Sequence, residues 1–490
     1  MKLVLKGHEY RYAVEQMIST LFPGEKPEYT DALNRQDGMR VSLSSGAEYT
    51  TAVCLFRTGG ESFLGRAAVR NRLLIGGTET DRLCQFAIKN AVYSAVRKSG
   101  LNRPPWGALT GVRPGKLMSG IVRSSTDRND AVARFEKEFD VTRERAQLCY
   151  ETTLATLEAE KSLGEKDICL YVGIPFCPTR CAYCSFVSQS VEKSMKLIVP
   201  FFDALKKEVG AAACEVRKAG LKPVSIYFGG GTPTTLSPGQ LNELCSLLHG
   251  EFDLSGLREF TVEAGRPDTI TAERLEVLRK HGVDRVSVNP QTMRNEVLEA
   301  IGRRHTAEDV VRALSLVREI GGFSVNMDII AGLPADNADG FRYTMEKVLK
   351  LGAENITVHT LSMKRGSALT VNGGSIPAPP EVAEMISCAY EGLKAHDYSP
   401  YYLYRQKNMS GGFENTGWTK PGHVNLYNIC MMEEICGIIA MGGGGSTKLI
   451  RPGGGKNIRI TAPKYPLEYI EQIEKTCRDK EKIGGFYGTL

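Results

Sequence analysis

The sequence has no long hydrophobic run. No stretch of about 18 apolar residues occurs, so no membrane-spanning helix is expected. The longest candidate, Ile435 to Gly445, is short and ends in four glycines. Charge of one sign is also lacking: 62 basic residues against 56 acidic ones leave +6 over 490 residues. That balance does not call for nucleic acid, and no aromatic–basic repeat appears. A paired-cysteine framework is absent too. Thirteen cysteines is an odd number in a long chain, which points to a reduced, cytoplasmic protein. Between Met1 and Glu15, Lys2 and Lys6 are followed by no apolar run, so the start does not read as a signal peptide.

What is present is length, glycine and periodicity. At about 150 residues per domain the chain suggests roughly three domains. Its 42% hydrophobic content is that of a globular protein. Fifty-one glycines exceed the ~7% average and cluster at Gly229–Gly231, Gly442–Gly445 and Gly453–Gly455. Residues 1–165 read as an α/β domain. It has a strand at Lys2–Leu5, helices at Tyr10–Phe22 and Arg82–Lys98, hairpin strands at Met39–Ser44 and Thr51–Arg57, and two helices within Ala131–Leu163. The Gly111–Lys116 segment reads as a turn between helices, with an anion site as the alternative. Residues 366–490, rich in tyrosine, are expected to cover a substrate cavity.

From 166 to 365 strands and amphipathic helices alternate, which argues for a parallel sheet. The expected strands are Ile168–Val172, Val224–Phe228, Glu259–Glu263, Arg285–Val288, Ser324–Ile330 and Ile356–Thr360. Thr306 and Asp309 form a capping pair before one of the helices. A six-unit partial (β/α) barrel is preferred over a doubly wound sheet, because polar residues recur where the strands end. These are Gly229-Gly230-Gly231-Thr232, Glu263, Asn289-Pro290-Gln291, Asn326 with Asp328, and His359. In α/β barrels that end carries the active site.

The loop after the first of these strands holds Cys177, Cys181 and Cys184, while the other ten cysteines are scattered singly. Thiolates suit zinc, copper(I) or iron–sulfur clusters. A structural zinc site closes with four ligands, and no fourth Cys or His follows at close range. Cys169 lies within the strand and is expected to face the core. Three thiolates on a four-iron cluster leave one iron open, which is what direct binding of a cofactor requires. A zinc knuckle or reactive surface thiols is the blander alternative. Phe176 and Phe186 would shield the site.

The spacing Cys177-x3-Cys181-x2-Cys184, with Tyr183 before the last cysteine, resembles the cluster motif of the radical S-adenosylmethionine (SAM) enzymes. That resemblance implies a [4Fe–4S] cluster whose open iron binds SAM, reductive cleavage to a 5′-deoxyadenosyl radical, and hydrogen abstraction from a substrate. From about Tyr171 to Ser446 the chain is similar to the oxygen-independent coproporphyrinogen III oxidases. Phe228-Gly229-Gly230-Gly231-Thr232-Pro233, Thr261-Val262-Glu263, Gln291, Gly302-Arg303-Arg304-His305, Asn326-Met327-Asp328 and Gly332-Leu333-Pro334 carry the likeness. Gly111–Lys116 and Tyr402–Met409 bring it nearest to the HemZ-type coproporphyrinogen dehydrogenases. By resemblance, Gly230, Gly231 and Thr232 meet the methionine end of SAM. Glu263, Gln291, Arg303 and Asp328 hold its polar groups, and Tyr171, Glu263 and Arg303 are the catalytic candidates. The better-known branch has a histidine where this chain has Gly173, and a Ser-Asn-Phe-Ala stretch where it has Asn408-Met409-Ser410.

The activity so implied is oxidative decarboxylation of two coproporphyrinogen III propionates to vinyls, giving protoporphyrinogen IX. A flavodoxin or ferredoxin would supply electrons to the cluster. Arg303, Arg304, Lys364, Arg365, Arg405 and Lys407 are candidate anchors for the tetracarboxylate substrate. A haem carrier on the same scaffold, with His359 or His423 as ligand, is the second reading. A radical SAM methyltransferase is the third.

Overall fold

The computed structural model describes the chain except residues 102, 185–188, 363–375, 407–408, 452–455 and 489–490, and of 189–193 only the backbone. Phe186, Lys364, Arg365, Lys407, Asn408 and Gly453–Gly455 therefore lie outside the described residues, as does the expected boundary after residue 365. The chain forms two compact units, Met1–Tyr150 and Glu151–Leu490.

The first unit is built on strands β1 (Lys2–Lys6), β2 (Glu28–Tyr29), β3 (Gly38–Ser45), β4 (Tyr49–Thr58) and β5 (Glu61–Arg70), in the order β2-β1-β3-β4-β5. Helices Arg11–Leu21 and Gly77–Lys98 bury Val14, Met17, Ile88 and Val92 together with Leu3, Met39 and Val41 of the sheet. The strand β5 has no counterpart in the sequence reading. Two of its inward positions, Gly65 and Ala67, are small: a Cβ on Gly65 would lie 2.0 Å from the Ala91 carbonyl oxygen. Close packing there removes the bulky alternation that marks a half-buried strand. Pro114-Gly115-Lys116 does not form the expected turn. It opens the helix Pro114–Val122, with proline in the first turn where its missing N–H costs nothing.

The second unit holds β6 (Asp167–Ile174), the short pair β7 (Phe176–Cys177) and β8 (Gln189–Ser190), then β9 (Lys222–Gly230), β10 (Glu259–Val262), β11 (Arg285–Ser287), β12 (Ser324–Ala331) and β13 (Asn355–Thr360). It continues with β14 (Ser399–Tyr404), β15 (Asn415–Thr419), β16 (Gly437–Gly442), β17 (Ser446–Leu449) and β18 (Ile458–Thr461). The six expected strands β6-β9-β10-β11-β12-β13 stand side by side, all parallel, in chain order. These are the six strands of the α/β partial barrel expected from the sequence. The Thr306–Asp309 capping box is formed.

Strands β14 to β18 extend this same sheet at both edges. The strand β15 runs antiparallel to β13, and β16 runs parallel to β6. Gly442, at the end of β16, has φ +90°, and a Cβ there would fall 2.2 Å from the Gly173 carbonyl oxygen. A Cβ on Gly173 would in turn meet the Gly443 oxygen at 2.7 Å. The glycine turn thus occupies the space in which a histidine at 173 would begin. A buried network holds the turn from behind. The Gly442 N–H donates to Glu208 Oε2 at 2.7 Å, Glu208 pairs with Lys480 at 2.7 Å, and the Tyr469 hydroxyl donates to the same carboxylate.

Candidate functional site

Side chains on a strand alternate between faces, and on these strands the polar set shares one face. Tyr171 and Gly173 on β6, Tyr227 and Gly229 on β9, Asn326 and Asp328 on β12, and Thr357 and His359 on β13 stand at the partly buried positions or beside them. Val325, Met327 and Ile329 point the other way and are fully buried. The polar face opens on a cavity of about 540 Å³ at the C-terminal ends of the parallel strands. Cys177, Cys181 and Cys184 line it, together with Tyr171, Gly230, Gly231 and Thr232. Glu263, Gln291, Arg303 and Asp328 line it as well. The cluster, SAM and catalytic candidates thus line one cavity.

The cysteine loop is fixed by backbone and side chain. The Ala182 N–H donates to Ile301 O at 2.9 Å, and the Cys184 N–H to Cys181 O at 3.2 Å. The Thr232 hydroxyl donates to Cys177 Sγ at 3.5 Å. Arg266 Nη1 lies 4.0 Å from Cys181 Sγ and donates to the Thr179 hydroxyl at 3.0 Å. Beneath the loop, the Gly231 N–H donates to Ile174 O at 2.8 Å and the Thr232 N–H to Phe176 O at 2.7 Å. This approach requires glycine, since a Cβ on Gly231 would sit 2.4 Å from the Phe176 oxygen. Gly230, at φ +104°, turns the chain at the end of β9.

The opposite wall is carboxylate-rich. The Tyr227 hydroxyl donates to Glu263 Oε1 at 2.6 Å. Burial pushes the Glu263 carboxyl up to about 7, against the pull of that hydrogen bond. Asp328 accepts from Asn289 and from Asn326, each at 2.8 Å, and faces His359 Nε2 at 3.7 Å. Burial raises its carboxyl, but His359, Asn326 and Thr357 outweigh burial and the net direction is down. Gln291 has φ +65°, an uncommon backbone for a non-glycine residue. Two backbone hydrogen bonds hold it there, Gln291 N–H to Asp328 O at 2.9 Å and Ile330 N–H to Gln291 O at 3.0 Å.

Arg303 is buried between the two walls. Its Nη1 donates to Asn289 O at 3.0 Å and its Nη2 to the Tyr183 hydroxyl at 3.1 Å. Its Nε has no partner among the described residues. Arg303 lines the cavity, and a guanidinium there suits an anionic ligand. A three-thiol loop, a glycine cradle and this donor together fit a thiolate-ligated cluster with SAM.

The sequence reading passed over Arg266 and Tyr227 as site residues, and gave Asn289 only as a strand end. Arg266 stands three residues after Glu263, where a strand end had already drawn attention. Among the expected substrate anchors, Arg304 is exposed and outside the cavity lining, and Arg405 is buried elsewhere, donating to Gly412 O at 3.4 Å. Arg303 and Arg266 are the lining arginines among the described residues. His423 does not line the cavity and contacts the Ser324 hydroxyl at 2.9 Å; His359 does line it. From the C-terminal region come Tyr402, Tyr404, Tyr427, Met431, Met432 and Gly444. No described helix is long and apolar enough to cross a membrane.

The sequence profile of the Radical SAM superfamily matches residues 171–348. The chain is 40% identical over 382 residues to the oxygen-independent coproporphyrinogen-III oxidase-like protein HemZ of Bacillus subtilis, covering 77% of this chain and 76% of that protein. It is 31% identical over 320 residues to the heme chaperone HemW of the same organism, covering 64% and 78%. The solved structure of coproporphyrinogen III oxidase (HemN) from Escherichia coli superposes with a TM-score of 0.52 at 22% identity, covering 67% of this chain and 73% of that one.

Proposed function

Because the chain belongs to the radical SAM superfamily, in the oxygen-independent coproporphyrinogen III oxidase-like family, we propose that it decarboxylates the propionates of coproporphyrinogen III to vinyls. The family carries a [4Fe–4S] cluster and SAM, which supply a hydrogen-abstracting radical when bound. One observation carries the reading: three thiols, the glycine cradle, Glu263, Asp328 and two arginines line a single cavity at the strand ends.

In this reading Cys177, Cys181 and Cys184 ligate the cluster, and Gly230, Gly231 and Thr232 present backbone to the SAM carboxylate. Glu263, Gln291 and Asp328 bind its ammonium and ribose hydroxyls. Arg303 neutralises a carboxylate, and Tyr171 borders the reacting centre. Residues 366–490 cover the cavity and exclude water with Tyr402, Tyr404 and Tyr427. Once a hydrogen is taken from its β-carbon, each propionate would lose its carboxylate as CO2 and one electron, leaving the vinyl, so the reaction needs an external acceptor. It also needs a flavodoxin- or ferredoxin-type donor to the cluster, in a cytoplasmic setting. Anaerobic incubation of the reconstituted protein with SAM, reductant and coproporphyrinogen III should give CO2 and the divinyl product. Vigorous SAM cleavage with intact substrate would sink the assignment.

The second reading, haem carriage, draws on His359, which lines the cavity and is oriented by Asp328. Stoichiometric haem binding that His359→Ala removes, without turnover of the porphyrinogen, would favour it.

A further inference from the structure

Folding gathers three of the cysteines that look scattered in the sequence. Cys169 lies on the interior face of β6, Cys430 on the helix Leu426–Glu433, and Cys436 just before β16. Their three sulfurs lie within 4.8 Å of one another, and Cys169 Sγ is 3.5 Å from Cys436 Sγ. Exposure is 0% for Cys169 and Cys430 and 6% for Cys436. This group shares no residue with the Cys177–Cys184 loop. It is separated from the cavity by Tyr171, Tyr227 and Tyr427, which stack with centroids 4.3 to 6.3 Å apart and pack against the thiols.

Buried cysteines usually serve as small apolar side chains, and one or two here would carry no more than that. Three sulfurs converging from three elements define a coordination triangle. Metal–sulfur bonds of about 2.3 Å in a trigonal arrangement put sulfurs roughly 4 Å apart, close to what is seen. Among the described residues no fourth Cys, His, Asp or Glu joins the group, and apolar side chains including Leu426, Met431 and Ile438 pack against it. Zinc asks for a fourth ligand, whereas a soft univalent ion is satisfied by sulfur alone. We propose that Cys169, Cys430 and Cys436 form a second metal site, which takes a single soft, thiophilic ion of the copper(I) type in three-coordinate all-sulfur geometry. Uptake converts thiols to thiolates and releases one proton for each metal–sulfur bond formed at a thiolate. The ion ties β6, β16 and the helix Leu426–Glu433 together beneath the cavity floor.

The test uses the full chain with its iron–sulfur cluster reconstituted anaerobically, titrated with copper(I) delivered from a chromogenic chelator. One copper per chain should be withdrawn with iron content unchanged. X-ray absorption at the copper edge should show three sulfur neighbours. Cys430→Ser and Cys436→Ser should retain less than a tenth of the copper, and Cys214→Ser, in the helix Val191–Lys218, should retain all of it. Should the serine variants fail to fold, the unaltered protein decides the matter: copper must raise its Tm, because only the folded chain holds the triangle. Four outcomes overturn the proposal. Copper enters only as iron leaves. A fourth, non-sulfur neighbour appears, as zinc-type coordination would give. Tm is unmoved. The protein isolated without reductant carries a Cys169–Cys436 disulfide and takes up no copper.

Discussion

At the scale of single residues the site divides into groups that local spacing reveals and groups that only the fold assembles. Cys177, Cys181 and Cys184 belong to the first kind, since one loop carries all three proposed ligands. Replacing any one with alanine is expected to abolish cluster iron and SAM cleavage while far-ultraviolet circular dichroism stays unchanged. A Cys184→Ala protein that kept its iron would refute the ligand set. Glu263 gives a sharper test. Its carboxyl stands at about 7 instead of the ordinary 4.5, chiefly through burial. The raised value means that the neutral form persists through the window from 4.5 to about 7. Without ligand, native stability falls as pH rises through that window, because charging a buried carboxyl is costly. If the ionised form binds the cationic and hydroxyl groups of SAM, affinity must run the opposite way. The ionised fraction grows from about one-tenth at pH 6 to about nine-tenths at pH 8. Equilibrium dialysis of the cluster-loaded protein should therefore show SAM binding roughly tenfold tighter at pH 8, with Glu263→Gln nearly flat between the two. Arg266 and Tyr227 were not legible as partners in this site, because nothing in sequence spacing says that Arg266 reaches back to Cys181 or Tyr227 across to Glu263.

At the scale of elements, the parallel strands were legible because each is an apolar run between amphipathic helices, with polar residues confined to its end. The strand β5 was not, since close packing against a helix puts Gly65 and Ala67 between Phe63 and Val69 on its buried face. The thiol group under the cavity was hidden for another reason: Cys169 and Cys436 are joined by sheet pairing between β6 and β16, not by sequence. That same pairing sets the glycine turn against the cluster loop and makes it depend on Glu208. Glu208→Ala leaves Lys480 buried without its partner, and such a break is expected to cost about 3–5 kcal/mol, read by chemical denaturation. The double variant Glu208→Ala/Lys480→Met should recover part of that loss, since the orphaned charge is gone. Gly231→Ala strikes the other side of the loop. Its Cβ would meet backbone atoms of Phe176 and Ile174 at 2.4 to 2.9 Å, and backbone cannot swing aside as a flexible side chain can. Overpacking of this kind costs about 1–3 kcal/mol, and SAM cleavage should fall far more than the melting temperature does. Equal losses in both would mean that Gly231 serves packing alone.

At the scale of the whole molecule, the cavity draws every lining residue from between Tyr171 and Ser446. Its strand-borne walls belong to one continuous sheet whose ends, β14 and β18, both follow the parallel core in sequence. The unit Met1–Tyr150 has its own sheet and its own core of Leu3, Met17, Val41, Ile88 and Val92. Cluster and SAM binding should therefore be separable from it. A fragment beginning at Arg143 keeps the helix Arg143–Ser162 whole, and with it Ala155 and Ala159, which pack against Tyr401, Tyr402 and Ile429 beside the cavity. That fragment is expected to take up the same iron per chain as the full protein and to cleave SAM at a comparable rate under reductant. Turnover of coproporphyrinogen III by both proteins would confine the whole activity to the second unit. Loss of the divinyl product from the fragment alone, with SAM cleavage intact, would assign the first unit to substrate or electron delivery. Loss of iron uptake from a fragment that still unfolds cooperatively would contradict the location of the site itself.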